Sequence, residues 1–463
     1  MSTPSLASGP EGTHALRPLL DTVLQALDEG AHARGGPLPA GGPAAVATRL
    51  RAALGDVLPQ HGDPDALHTL VQALAEGAAD PADPLCAAHL HCPPLAVATA
   101  ADLAASVLNP SLDSWDQAPA ASELETLVTR ALAAEVYAGP ADPHKPRPDA
   151  LITTGGTESN QLALLLARET HGTGLRLICG ANAHHSLPRA AWLLGLPDPV
   201  NIPAPTGTLD PAALDKALTT LPGPHLVAAT AGTTDAGLID PLPEIAALCT
   251  AHHARLHIDA AYGGGLLLSD RHRTKLTGLH HAHTITLDLH KLGWQPVAAG
   301  LLAVRDPHDL TALHQHADYL NADDDTEAGL PDLLGRSLRT TRRPDILKIA
   351  VTLKSLGRTG LGALVDQICD RAQEFATLVQ NHPGFELHDR PTISTVLFRP
   401  AHTTDDAVAA VRRKLLHQGR AVLGRARLDG RLWLKATLLN PDTRPDDLAT
   451  LLALVEKAAD EPA

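Results

Sequence analysis

From Asp149 onward the sequence repeats one alternation: a short apolar run, a turn, a helix-patterned segment, then another short run. "DALITTGG" leads into "TESNQLALLLARET", and "LRLICG" leads into "SLPRAAWLLG". "HLVAATAGTT", "ARLHIDAAYGG" and "HTITLDLHK" follow as strands, with "LPEIAALCTAHH" as a helix between the first two and "AAGLLAVRD" as one more strand. Runs this short and apolar suit strands covered on both faces, and the helices between them suit crossover connections. The pattern predicts an α/β fold, a mostly parallel central sheet with helices on both faces. Ligands of such folds bind beyond the carboxyl ends of the strands. The side chains that carry chemistry are therefore expected where the apolar runs stop.

The flanking segments read differently. Residues 1–85 are expected to be helical. "HALRPLLDTVLQALDEG" puts Leu16, Leu19, Leu20, Val23 and Leu27 on one face, with Gly30 as its stop. Residues 119–138 form the clearest helix, with Ser122 and Glu125 as a capping box and Gly139-Pro140 as its end. A Pro-rich connector, Gly139 to Pro148, joins it to the first strand. Beyond residue 364, "FELHDRPTISTVLFRP" and "AVLGRARLDGRLWLKATLLNP" each precede a helix, which suggests a small α+β domain. The expected division is 1–85, 86–364 and 365–463.

Charge and cysteine usage narrow the function class. A net charge of −15 argues against nonspecific binding to nucleic acid or to an anionic membrane. No apolar run approaches the roughly 18 residues of a membrane span. The N-terminus lacks the basic-then-apolar order of a signal peptide. Five cysteines without CxxC spacing read as reduced thiols of a cytoplasmic protein. The histidines form two dense groups, His89 with His91 and His280 and His281 with His283, each without the carboxylate or cysteine partners of a usual metal site nearby. No metal is expected.

Each strand end carries a candidate. In "ITTGGTESNQLALLLAR", Gly155 and Gly156 precede a helix whose expected N-cap is Thr157, an arrangement suited to an anion. Many strand-to-helix turns look like this, and the turn is neither a GxGxxG fingerprint nor a P-loop. "LHIDAAYGGG" puts Asp259 at the end of an apolar strand, either as a turn cap or as the partner of a buried cation. "HTITLDLHKLGWQ" delivers Asp288, His290 and Lys291. Lys291 is either a solvated loop lysine or a nucleophile whose proton affinity an apolar wall lowers. His184 and His185 open a helix, and either suits stacking on a planar ring or an ordinary surface place. Taken together these are the needs of pyridoxal 5′-phosphate: an anchor for its phosphate, a lysine for its aldehyde, and a carboxylate for its ring nitrogen.

"TTGGTESN", "AHHS", "AGTTDAGLIDP", "HIDAAYGGG" and "LDLHK" together resemble the group II pyridoxal 5′-phosphate-dependent amino acid decarboxylases. The likeness covers roughly residues 80 to 450. "AHLHCPP", "NPSLDSWDQAPAASELE", "TTRRPDILK" and "LKATLLNP" look like the bacterial L-2,4-diaminobutyrate decarboxylases within that group. The resemblance implies the aspartate aminotransferase-like fold, fold type I, and decarboxylation of an L-amino acid. A diamino acid is the expected substrate, with lysine or ornithine, glutamate or an aromatic amino acid as alternatives.

By the same resemblance Lys291 bonds the cofactor aldehyde, Asp259 meets the ring nitrogen and His184 stacks over the ring. Gly156 and Thr157 meet the phosphate, with Asp288 and His290 beside it and Thr234 near the polar edge. His91, Trp115 and Gln117 are the expected substrate contacts. The family also implies a homodimer with shared active sites, the N-terminal helices acting as a swapping segment. Its loop tyrosine, which helps protonate Cα, corresponds here only to Tyr319, at the edge of the loop 319–334. The acidic run Asp323–Asp325 with Glu327 suits a solvated loop, or a region that steers a cationic substrate. A nucleotide-dependent oxidoreductase would leave Lys291 and Asp259 without a task. A catalytically inactive relative would have no need of an intact Lys291.

Overall fold

The computed structural model describes residues 4–138, 146–314, 320 and 323–461. The connector residues 139–145 and Tyr319 lie outside them. The described chain forms two compact units. One comprises Met1–Pro93, Asp370–Arg390 and Ser394–Ala463, the other Pro94–Cys369 and Pro391–Ile393. The changes of unit at 93/94 and 369/370 stand beside the expected boundaries at 85/86 and 364/365, and the first and last segments fall in one unit.

The first unit begins with three helices: α1 (Gly12–Arg34), α2 (Gly42–Leu54) and α3 (Ala66–Gly77). Gly30 does not stop α1, as the sequence suggested. It lies inside the helix, where an added Cβ would come 2.5 Å from the Gln72 carbonyl and 2.6 Å from Ala75 Cβ. It is a close-packing position against α3, and the stop is Gly35 at φ 69. Leu19 and Leu27 of the expected apolar face are 49 % and 45 % exposed.

The second unit holds a seven-stranded sheet. Its strands are β1 (Asp149–Thr153), β2 (Arg176–Gly180), β3 (Val200–Ile202), β4 (His225–Thr230), β5 (Arg255–Asp259), β6 (Thr284–Asp288) and β7 (Gly300–Val304), in the order β1-β7-β6-β5-β4-β2-β3. Neighbours from β6 through β3 are parallel, while β7 runs antiparallel to both β6 and β1. The reversal follows from the short link between β6 and β7, which carries only one helical turn, Leu289–Leu292.

Helices α4 (Ala96–Leu108), α5 (Pro119–Val136), α6 (Gly156–His171), α7 (Ser186–Leu193), α8 (Pro211–Thr220) and α9 (Leu242–Ala251) accompany the sheet. Helix α6 is buried along two sides. Leu162, Ala163 and Leu166 join a cluster with Leu151 and Leu302, while Leu164 and Ala167 join another with Leu177 and Leu226. Each such leucine contributes about 1.5–3 kcal/mol by leaving water. That packing fixes where the first turn of α6 points.

The expected capping box in α5 is absent. The helix starts earlier, at Pro119, with Ala118 as N-cap. Glu125 instead forms a fully buried fork with Arg342, at 2.8 and 3.1 Å. A helix capped four positions further upstream has no orphan N–H to offer Ser122, and the buried guanidinium claims the carboxylate.

The rest of the first unit contains β8 (Phe385–Leu387), β9 (Thr395–Pro400), β10 (Gly424–Leu428) and β11 (Arg431–Thr437), in the order β10-β11-β9-β8 with all neighbours antiparallel. Helices Asp405–His417 and Pro445–Asp460 pack on this sheet through Val408, Leu415, Leu451 and Val455. This is the α+β arrangement expected from the C-terminal sequence.

Candidate active site

Strands β5 and β6 look apolar in sequence, yet one face of each is polar. Residues two apart share a face, so His257 and Asp259 line up on β5, and Thr284, Thr286 and Asp288 on β6. Asp259 pairs in register with Thr286, next to Asp288 at the end of β6. Both aspartates are buried, 5 % and 6 % exposed, so each needs compensation.

Helix α6 arrives over this row. Its N-cap is Gly155, at φ 148, rather than the expected Thr157. Only glycine takes that angle without strain, so the helix begins at Gly156 and Thr157 is its second residue. No side chain caps the first turn. Its leading N–H groups and the positive end of the helix are available to an anion. The approach is close: a Cβ on Gly155 would lie 2.9 Å from His290 Cε1, and one on Gly156 would lie 3.2 Å from Asp288 Oδ2.

Asp288 is the centre of the charged group. Its Oδ2 lies 2.9 Å from Lys291 Nζ and 3.5 Å from His290 Nε2. Its Oδ1 is buried with no hydrogen-bond partner. The Ala299 N–H donates to His290 Nδ1 at 3.3 Å, so the neutral ring carries its proton on Nε2, the nitrogen facing Asp288. Burial lowers the proton affinity of His290, and the Asp288 charge opposes that effect.

Asp259 is held at both oxygens. Oδ1 accepts from the Ala261 N–H at 3.0 Å, and Oδ2 accepts from Asn160 Nδ2 at 2.8 Å. Asn160 continues the connection, bonding Ser186 Oγ, Thr286 Oγ1 and His257 Nε2 at 2.9, 2.8 and 3.0 Å. His184 Nδ1 lies 2.8 Å from Ser186 Oγ. Burial lowers the pKa of His184 against the opposing pull of Asp259, and it pushes His257 down to about 4.

The fold thus brings Gly156, Asp288, His290 and Lys291 together, and it links Asp259 to His184. Thr157 is exposed on the first turn of α6. Thr234 is exposed in the turn after Ala231–Thr233. Trp115 and Gln117 lie in the turn between α4 and α5, where Gln117 Nε2 donates to Asp113 Oδ1 and Ser114 Oγ, each at 2.9 Å. His91 is exposed and belongs to the other unit.

Sequence reasoning passed over Asn160, His257, Ser186 and Thr286. The signals were present: His257 stands two residues before Asp259 on one strand face, and Asn160 stands one helical turn after Gly156, just ahead of a run of Leu and Ala. Among the described residues no group of three or more His, Cys, Asp or Glu is arranged to hold a metal ion.

The donor set fits the expected pyridoxal 5′-phosphate. An uncapped helix start faces a cradle that a Cβ would fill, the unpartnered Asp288 Oδ1 lies beside it, and an amine stands 2.9 Å from Asp288.

Comparison with known proteins agrees. The model of the pyridoxal-dependent decarboxylase conserved domain matches residues 49–401. L-2,4-diaminobutyrate decarboxylase of Rhizobium meliloti (strain 1021) is 40 % identical over 90 % of this chain and 83 % of its own. The enzyme of that name from Acinetobacter baumannii is 33 % identical over 80 % of this chain and 78 % of its own. Among solved structures, a glutamate decarboxylase domain of diaminobutyrate-pyruvate transaminase and L-2,4-diaminobutyrate decarboxylase from Vibrio parahaemolyticus superposes with a TM-score of 0.84 at 30 % identity. It covers 98 % of this chain and 97 % of its own.

Proposed function

The chain belongs to the pyridoxal-dependent decarboxylase family, and from that premise we propose that its substrate is L-2,4-diaminobutyrate, which it converts to propane-1,3-diamine and CO₂. The observation that carries the substrate is the 40 % identity to the Rhizobium meliloti enzyme across 90 % of this chain. Carboxy-lyase activity and the cofactor follow from family membership itself.

Bound pyridoxal 5′-phosphate supplies an aldehyde that takes up amines and a ring that accepts the electron pair left by departing CO₂. In this reading Lys291 Nζ is the amine that holds the aldehyde between turnovers. Asp288 Oδ2, 2.9 Å away, pairs with that amine and holds it beside the first turn of α6. The first turn of α6, at Gly156 and Thr157, holds the phosphate, with Asp288 and His290 fixing the cradle. Asp259 keeps the ring nitrogen protonated. His184 would cover the ring, with its Nε2–H as a hydrogen-bond donor there. Thr234 lies toward the polar edge. Trp115 and Gln117, in the turn between α4 and α5, are the side chains assigned to the distal end of the substrate. The family likeness supports a cytoplasmic homodimer with shared sites. Among the described residues, no helix is long and apolar enough to cross a membrane.

The test is CO₂ release by the purified holoenzyme from L-2,4-diaminobutyrate, lysine, ornithine, glutamate and tyrosine. The expected result is a kcat/KM for L-2,4-diaminobutyrate at least tenfold above the others, a margin of about 1.4 kcal/mol. Release from glutamate or tyrosine alone would overturn the substrate and leave the reaction class standing.

A further inference from the structure

We propose that Asn160 is a positioning residue that couples Asp259 to His184, orienting the first and selecting the Nε2–H tautomer of the second. The proposal takes from the reading above what these two side chains face. The coupling itself is drawn from this chain's hydrogen bonds.

An amide's oxygen and nitrogen are told apart by their partners. Asn160 is fully buried in α6. One end of its amide meets two groups, Thr286 Oγ1 at 2.8 Å and His257 Nε2 at 3.0 Å. Buried and neutral, His257 carries one proton. Its other nitrogen, Nδ1, is 2.9 Å from Thr284 Oγ1. The other end of the amide meets the Asp259 carboxylate, which can only accept, so that end is the NH₂. The atom facing Thr286 Oγ1 and His257 Nε2 is the oxygen, to which the hydroxyl and the Nε2–H donate.

The NH₂ therefore points the other way, and both its hydrogens are used. One goes to Asp259 Oδ2 at 2.8 Å and the other to Ser186 Oγ at 2.9 Å. With the Ala261 N–H on Oδ1, each oxygen of Asp259 has a donor and the carboxylate plane is fixed. On the other arm, the Ser186 backbone N–H points at His184 Nδ1 at 3.3 Å. An N–H can only donate, so Nδ1 is bare. The Ser186 hydroxyl, receiving from Asn160, donates to the same nitrogen at 2.8 Å. The proton of neutral His184 is left on Nε2. One amide thus sets both groups, and two threonines and a histidine on β5 and β6 keep it from flipping.

The test uses ¹⁵N-histidine-labelled holoenzyme, with His184 and His257 identified by signal loss in His184→Gln and His257→Gln. The wild type is expected to show His184 with a bare Nδ1 and a protonated Nε2. Asn160→Ala is expected to mix the His184 tautomers and to raise the cofactor dissociation constant about 10- to 100-fold, the range for removing a buried group that orients a ligand's partner. Ser186→Ala cuts only one arm, so it should disturb the His184 signal while leaving cofactor affinity within about threefold. Should Asn160→Ala fail to fold, judged by circular dichroism, Asn160→Asp keeps the shape, lacks both donors, and should give the same pair of changes.

An Asn160 variant that folds with His184 and cofactor affinity unchanged overturns the proposal. So does a Ser186→Ala enzyme that loses cofactor as badly as Asn160→Ala. A wild type inactive on L-2,4-diaminobutyrate would remove the substrate reading and leave the ring-nitrogen signals as expected here.

Discussion

Strands β5 and β6 carry charged and titratable groups at both ends, but the two ends are closed differently. At the start of β5, Arg255 forks onto Asp309, with Nη1 to Oδ1 at 3.3 Å and a shorter bond from Nη2 to Oδ2. Beside it the Leu256 N–H donates to His283 Nδ1 at 3.0 Å, and the Tyr137 hydroxyl donates to two carbonyls. At the other end Asp288 Oδ1 has no partner, and the first turn of α6 has no cap. Buried polar groups left open are destabilising and persist where a ligand completes them. One end is finished by the chain itself, the other by what binds there. Substitutions at the first should therefore change stability, and at the second activity.

The sharpest way to test that division is Lys291→Arg. Arginine keeps a positive charge beside Asp288, so the fold is expected to hold, with an unfolding midpoint close to wild type. A guanidinium stays charged at any working pH and offers no free amine. Decarboxylation should fall roughly 10⁴-fold or more. A variant retaining a tenth of wild-type kcat would show that Lys291 is not the amine.

Arg255→Ala probes the opposite end. It strands a half-buried Asp309 carboxylate, and breaking a fully buried pair costs about 3–5 kcal/mol, which sets the upper bound here. Urea unfolding should show a loss within that bound, while kcat per cofactor-loaded molecule stays within about twofold. A large fall in kcat without loss of stability would break the comparison.

Acid should expose the same contrast through histidines. Burial, first among the causes, pushes His283 down to about 3 and His257 to about 4. Both are neutral in the folded chain, and both regain their ordinary value near 6.5 on unfolding. Below that value the unfolded chain binds more protons, so stability falls as pH drops from about 6.5 toward 4 and, for His283, toward 3. The effect for His257 is on the order of 3 kcal/mol. Unfolding followed against pH should show proton uptake in this window. His283→Asn should flatten the slope, and an unchanged slope would mean that the His283 ring is already protonated in the native state.

Much of this contrast could be read in advance. The βα alternation announced the sheet, and Gly155-Gly156, Asp259 and Lys291 stood where strand ends must be. Helix starts were harder. Ser122 and Thr157 have capping side chains, but the chain turned earlier, at Ala118 and at Gly155, because Pro119 and a positive-φ glycine suit the first turn. Asn160 and His257 were hidden for another reason. A polar residue in a helix or strand takes its meaning from what faces it, and β5 and α6 are brought together only by the folded sheet. The antiparallel direction of β7 was likewise set by the length of a link, which patterning does not report.

The smallest effect expected is at Tyr137→Phe, and its smallness bears on the comparison. The hydroxyl donates to the carbonyl of His283 at 3.1 Å and to that of Ala303 at 3.3 Å, and the side chain is buried. Burial raises the hydroxyl's pKa, so it is a donor at any working pH. Neither carbonyl depends on it. The His283 carbonyl also accepts from the Arg305 N–H at 2.9 Å, and Ala303 lies within β7, paired with Ala150 on one side and Ile285 on the other. Phenylalanine fills the same space, so no cavity opens and no acceptor is orphaned. The cost should be about 1 kcal/mol or less, the net worth of one such bond, with activity unchanged. A loss of 3 kcal/mol would mean that the closed end hangs on this single hydroxyl rather than on overlapping bonds, and the contrast with the open end would weaken.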